Sequence, residues 1–129
     1  MSEPAWVSRR ALLLLHAESL AEFGGSPGIR DEGLFESGLE RARMRWTYQP
    51  ASSLAELAAC YGFGLVKNHA MFDGNKRLGF LAIGVFLRVN GYRLVADRAE
   101  AVVVMEDVAA GRVDERALAA WIQNHAARA

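Results

Sequence analysis

From Leu78 to Leu87 the sequence is an unbroken apolar run, lying between Arg77 and Arg88 and closed by Gly91 a few residues on. A helix drawn from about Asn75 to Asn90 is apolar nearly all round, so it has no polar face to give to water and is expected at the centre of a bundle. Gly91 suits the left-handed residue that ends such a helix. The run contains Gly79 and Gly84 and reaches only about half of the roughly 20 residues a membrane span requires. A chain built round this segment has to wrap other helices over it.

The rest of the sequence supplies them. Leu12, Leu15, His16 and Phe23 mark a first helix stopped by Gly24-Gly25. Asp31 can cap a second, with Phe35, Leu39, Ala42 and Trp46 on one face. Ser53 and Glu56 have capping-box spacing ahead of a third that carries Leu57, Ala58, Tyr61 and Leu65. After the apolar helix, Asp97 with Glu100 opens a fifth, with Val102, Met105 and Val108 inward and Gly111 at its end. Asp114 caps a sixth, whose inner face is Leu118, Trp121, Ile122 and His125. Tyr92 to Val95 can be one short extended piece and Trp46-Thr47-Tyr48 another, because β-branched and aromatic residues cluster there. The expected fold is all-α: a single domain over residues 1–129, about six helices round the apolar one, with room for a small β-hairpin.

Composition narrows the function. Fifteen basic residues balance fifteen acidic ones, so no whole-molecule field draws the chain onto nucleic acid, and direct nucleic-acid binding is not expected. Cys60 is the only cysteine, which rules out an intrachain disulfide and suits a reducing cytoplasm. The start, Met1-Ser2-Glu3-Pro4, lacks the basic-then-apolar pattern of a secretory signal. A soluble, cytoplasmic protein with no membrane partner is expected.

One segment departs from amphipathic logic: His69-Ala70-Met71-Phe72-Asp73-Gly74-Asn75-Lys76-Arg77. Asp-Gly-Asn is a turn signal, and this turn feeds straight into the N-terminus of the apolar helix. Unpaired backbone N–H groups and the positive dipole end make an anion site there. Lys76 and Arg77 add positive charge where the dipole disfavours it, a cost that an incoming anion such as phosphate would relieve. Asp73 offers a hard oxygen suited to Mg²⁺, and His69 can take a proton near neutral pH. A base, a magnesium ligand, an anion nest and two cations are the parts of phosphoryl transfer. On the residues alone a blander reading stays open: a packed or capping histidine, a plain turn, and a solvated pair of cations.

His-x-x-x-Asp-Gly-Asn-Lys-Arg resembles the Fic/Doc signature in its Doc (death-on-curing) form, in which Lys follows the Asn. Residues 24 to 31, Gly-Gly-Ser-Pro-Gly-Ile-Arg-Asp, resemble the glycine-rich connector of Doc toxins. Gly64 to Asn68 and Phe86 to Gly91 also read like that family. The resemblance implies an all-helical Fic fold, ATP as phosphoryl donor with Mg²⁺, and a toxin neutralised by a cognate, Phd-like antitoxin. It implies His69 as the base, Asp73 as the Mg²⁺ ligand, and Gly74, Asn75, Lys76 and Arg77 as the phosphate-binding set. A threonine of translation elongation factor Tu is the implied target, with arrest of translation as the result.

The sequence departs from the family pattern in places. The usual signature begins His-Pro-Phe or His-x-Phe, whereas here Ala70 and Met71 take those positions and Phe72 comes one place late. A flexible Met can fill the space of that phenylalanine. AMP-transferring Fic enzymes have Gly after the Asn and a second Arg three places beyond the first; here Lys76 and Phe80 stand there, which favours γ-phosphoryl over AMP transfer. Ser52 and Glu56 have the spacing of the family's inhibitory motif, but Leu57 follows, Phe80 offers the Glu no partner, and capping by Ser53 with Glu56 explains the segment better. His16 and His125 read as core or interface histidines. Arg41, Arg43 and Arg45 read as a solvated face or a docking edge, and Arg30 and Asp31 most simply as cap residues. Two alternatives remain, an AMP transferase and a catalytically inactive binding protein of the same fold.

Overall fold

The computed structural model describes residues 2–129. Six helices follow one another: α1 (Arg9–Phe23), α2 (Glu32–Tyr48), α3 (Leu54–Asn68), α4 (Asn75–Val89), α5 (Arg98–Ala109) and α6 (Glu115–His125). The starts obey capping chemistry. Ser8, Asp31, Ser53, Asp97 and Asp114 each accept a hydrogen bond from a first-turn N–H with their own side chain. At Ser53 the box closes, since Glu56 also accepts from the Ser53 N–H at 2.8 Å. At Asp97 it stays half made, because the Glu100 carboxylate turns to α6, taking the Trp121 indole N–H at 2.8 Å and lying 3.1 Å from His125 Nε2.

The all-α fold expected from the sequence is the fold observed. The central place expected of α4 is shared with α3, which packs against α2, α4, α5 and α6. Leu57, Ala58, Tyr61 and Leu65 are buried, and so are Leu78, Ala82, Ile83, Phe86 and Leu87 of α4. Glycine sets their spacing: a Cβ on Gly79 would lie 2.9 Å from the Gly62 carbonyl and 2.6 Å from a Val66 methyl, so α4 can approach α3 only without one. Phe86, fully buried, lies 5.3 Å from the Tyr61 ring and 6.0 Å from the Trp6 ring. Truncating such a core aromatic to alanine costs about 3–5 kcal/mol. Two helix faces differ from expectation. Phe23 and Val102 are exposed, while Leu20 and Ala101 take the inward places one turn or one residue away.

The extended pieces differ as well. Tyr92–Leu94 is a strand (β1), but its antiparallel partner is Ala126–Arg128 (β2), paired Tyr92 with Arg128 and Leu94 with Ala126. Since α5 and α6 intervene, this is a two-stranded ribbon and not a hairpin. Trp46-Thr47-Tyr48 forms the last turn of α2, where the Thr47 hydroxyl donates back to the Arg43 carbonyl at 3.0 Å.

Ala5 and Ala129 both fasten to the turn after α4. Asn90 accepts from the Ala5 N–H and donates to the Ala5 carbonyl, both at 2.9 Å, and the Ala129 N–H donates to the Gly91 carbonyl at 3.0 Å. Arg43 lies over the Trp6 ring, and Arg41 and Arg45 pair with Glu115 and Glu56, so this arginine row is engaged within the molecule. Among the described residues no helix is long and apolar enough to cross a membrane.

Candidate active site

The loop between α3 and α4 hangs in a frame built from three other places in the sequence. His69 ends α3 in the left-handed region (φ 50°, ψ 47°), which a non-glycine residue adopts only when neighbours hold it there. Two sets of contacts do so. The Arg30 guanidinium donates to the His69 carbonyl twice, from Nε at 3.1 Å and Nη2 at 2.6 Å. Asn75 reaches back from the first turn of α4 to place Nδ2 3.2 Å from His69 Nδ1. Next to it, residues 28–31 run antiparallel to residues 70–72: the Ala70 carbonyl accepts from the Arg30 and Asp31 N–H groups, and the Phe72 N–H donates to the Gly28 carbonyl. The glycine-rich connector is therefore the outer edge of the loop.

Asn75 is the loop's internal brace. Only 6% exposed, it accepts from the Met71 N–H at 2.9 Å and donates to the Met71 carbonyl at 3.0 Å. These partners fix its amide orientation, so Nδ2 is the atom facing His69 and can only donate. His69 Nδ1 then accepts, and the neutral ring carries its proton on Nε2. Met71 is 1% exposed and Phe72 is 54% exposed, so methionine plugs the loop into the core and the displaced phenylalanine faces solvent.

Asp73 accepts from the Ser26 N–H through Oδ2 at 2.7 Å, leaving Oδ1 without a partner among the described residues. Gly74, at φ 74°, caps α4 with no side-chain cap bond. The N–H groups at the start of α4 therefore have no acceptor within the helix. Lys76 is exposed and Arg77 half-buried, with neither in an ion pair among the described residues. Arg77 lies 4.6 Å from the Phe23 ring, which Arg98 approaches from 5.6 Å.

All six residues singled out from the sequence, His69, Asp73, Gly74, Asn75, Lys76 and Arg77, line one groove of about 1210 Å³. Phe80 lines it too. The groove runs between α1, α4 and α5, and the first turn of α4 and both cations face onto it. Among the described residues no three His, Cys, Asp or Glu side chains cluster as a metal cage.

The sequence reading missed the frame. Arg30 was expected to cap and instead clamps His69; Ser26 contributes only its backbone. His16, expected in the core, is buried as expected, yet its Nε2 lies 2.9 Å from the Asp73 carbonyl. The one thiol is not a competing nucleophile. Burial first, and its hydrogen bond to Glu115 at 3.2 Å second, push Cys60 up to about 12.

A family model described as Fic/DOC family matches residues 6–87. The chain is 36% identical over 121 residues to "Toxin Doc" of Mycolicibacterium smegmatis, covering 90% of this chain and 91% of that protein. It is 32% identical over 88 residues to "Protein kinase doc" of Escherichia phage P1, covering 68% of this chain and 70% of that one. With its helical fold, its His69-to-Arg77 loop and a match along nearly its whole length, the chain belongs to the Fic/DOC family.

Proposed function

We propose that this protein is a Doc-type toxin that transfers the γ-phosphoryl group of ATP to a protein hydroxyl. The observation that carries the reading is the juxtaposition, in one groove, of His69 with the open N-terminus of α4 and two unpaired cations, Lys76 and Arg77. An anion seated there would meet backbone N–H donors, a favourable dipole and two positive side chains together. The relatives named kinase and toxin support the choice of chemistry and of role.

Each side chain then has a task. Lys76 and Arg77 neutralise charge on the phosphoryl oxygens, and the α4 amides orient them. Asp73 would hold Mg²⁺ through its carboxylate, and the metal would supply charge neutralisation for the donor. His69 takes the proton of the target hydroxyl as that oxygen bonds to the γ-phosphorus and the bond from that phosphorus to the bridging oxygen breaks, so that ADP leaves. To accept at Nε2 the ring has to exchange the tautomer that Asn75 favours in the free chain, so the 3.2 Å contact loosens as the target arrives. Lys76 fills the space that AMP transfer would leave open, and Phe80 offers no second cation, which favours γ- over α-phosphoryl transfer.

The target fitting this role is a threonine of translation elongation factor Tu, whose modification would arrest translation. A Phd-like antitoxin would neutralise the toxin. The exposed Phe23 and Val102 along the groove give such a partner apolar footing.

Paired assays with α- and γ-labelled ATP, Mg²⁺ and elongation factor Tu test the reading. The γ-label should reach a threonine, and His69→Ala should lower transfer about 10²–10⁴-fold while the protein stays folded. Transfer of α-label as readily as γ-label would replace this reading with AMP transfer. ATP binding with no transfer to any protein would make the chain a binding partner.

A further inference from the structure

His16 is a buried titratable side chain to which phosphoryl transfer assigns no task. It sits on the inner face of α1, 3% exposed, with Nε2 2.9 Å from the Asp73 carbonyl. A carbonyl only accepts, so the imidazole donates through Nε2–H. The peptide unit is planar and trans, and the C=O and N–H on its two sides point in opposite directions. Tying the Asp73 carbonyl to α1 therefore aims the Gly74 N–H away from α1.

The turn is seated on the ring itself. A Cβ at Gly74 would lie 3.0 Å from His16 Nε2 and 3.3 Å from a Leu20 methyl, so the glycine backbone lies against both side chains. Gly74 lines the groove, and its N–H meets no acceptor among the described residues. The same short stretch carries the Asp73 carboxylate, steadied from the other side by the Ser26 N–H. His16 and Ser26 thus grip Asp73 at its backbone and its side chain.

We propose that His16 is a positioning residue of the phosphate site: by holding the Asp73 carbonyl it turns the Gly74 N–H into the groove as the leading donor of the anion nest. The assignment rests on the reading of the groove as the place of the phosphoryl donor. His16 touches neither donor nor target and acts wholly through one peptide plane.

The test uses the labelled full chain in three forms besides wild type, followed by NMR. His16→Leu fills the space without a donor. His16→Gln carries an amide near the place of Nε2, and His16→Asn carries one near the place of Nδ1. In the ligand-free protein the Asp73 carbonyl carbon should shift in His16→Leu and return toward wild type in His16→Gln. On titration with Mg²⁺ and ATP, the wild-type Gly74 and Lys76 amides should both move. In His16→Leu the Gly74 response should vanish and affinity fall about tenfold, with the Lys76 response kept. His16→Gln should restore both. If His16→Leu does not fold, the contrast of His16→Gln (restored) with His16→Asn (not restored) decides the matter. A Gly74 response and affinity unchanged in His16→Leu, or equal in Gln and Asn, overturns this assignment alone. No ATP response in the wild type would overturn the donor-site reading and this assignment with it.

Discussion

Lys76 stands in the first turn of α4, exposed, where the helix dipole opposes a cation. Relieving that opposition gains about 0.3–1 kcal/mol, while glycine in place of a longer side chain in a helix loses nearly as much. Lys76→Gly should therefore leave stability within about 0.5 kcal/mol of wild type by denaturant unfolding. Its γ-phosphoryl transfer should fall at least about tenfold, the effect of one charge-assisted contact to phosphate. Only weak α-label transfer should appear, since Phe80 still lines the groove. A stable variant with undiminished γ-transfer would remove Lys76 from the site. At this scale the sequence was readable where chemistry has a signature: His69, Asp73, Gly74, Asn75, Lys76 and Arg77 stand in one nine-residue segment and meet in one groove. The supporting contacts had none. Arg30 and His16 both bond to backbone carbonyls, and a carbonyl belongs to every residue, so nothing in the sequence marks which one a side chain will reach.

At the scale of elements, the capping box of α3 ties a helix start to pH. The hydrogen bond from the Ser53 N–H, partly offset by desolvation and aided by the Ser53 hydroxyl and the Arg45 guanidinium, holds the Glu56 carboxyl below its ordinary value of 4.5. A carboxyl lowered on folding adds stability that is present above that value and lost as pH falls through the lower, folded-state one. Glu56→Gln should thus be less stable than wild type at pH 7, and the gap should close below about pH 4.5 in parallel urea titrations. A gap independent of pH would show that the charge on Glu56 does nothing for the helix. Caps such as this were legible because a cap is local: Asp31, Ser53 and Asp114 each bond within three residues. The strands were legible only by half. Tyr92 to Leu94 carries β-forming residues, whereas Ala126-Ala127-Arg128 has little strand preference and is drawn into extension by pairing with β1. Trp46 to Tyr48 shows the reverse, a β-prone run that continues α2 to its last turn.

The molecule as a whole has two distinct poles along α4. At one, the helix N-terminus meets the motif loop, α1 and the connector. At the other, the Asn90-Gly91 turn holds both Ala5 and Ala129. The 15 residues of α4 put about 22 Å between them. A permuted chain with residues 5 and 129 joined by a short glycine linker, and opened at the exposed Gly111-Arg112 loop, should fold with wild-type helicity and keep its affinity for ATP. Loss of ATP binding in a permutant of normal circular dichroism would show that the two poles communicate. The anchoring also governs how the protein can be tethered. A label or an affinity handle placed at residue 5 and another at residue 129 leave from the same spot, a helix length behind the groove. Two such attachments would lie side by side, close enough for a donor–acceptor dye pair to report unfolding while the groove stays clear.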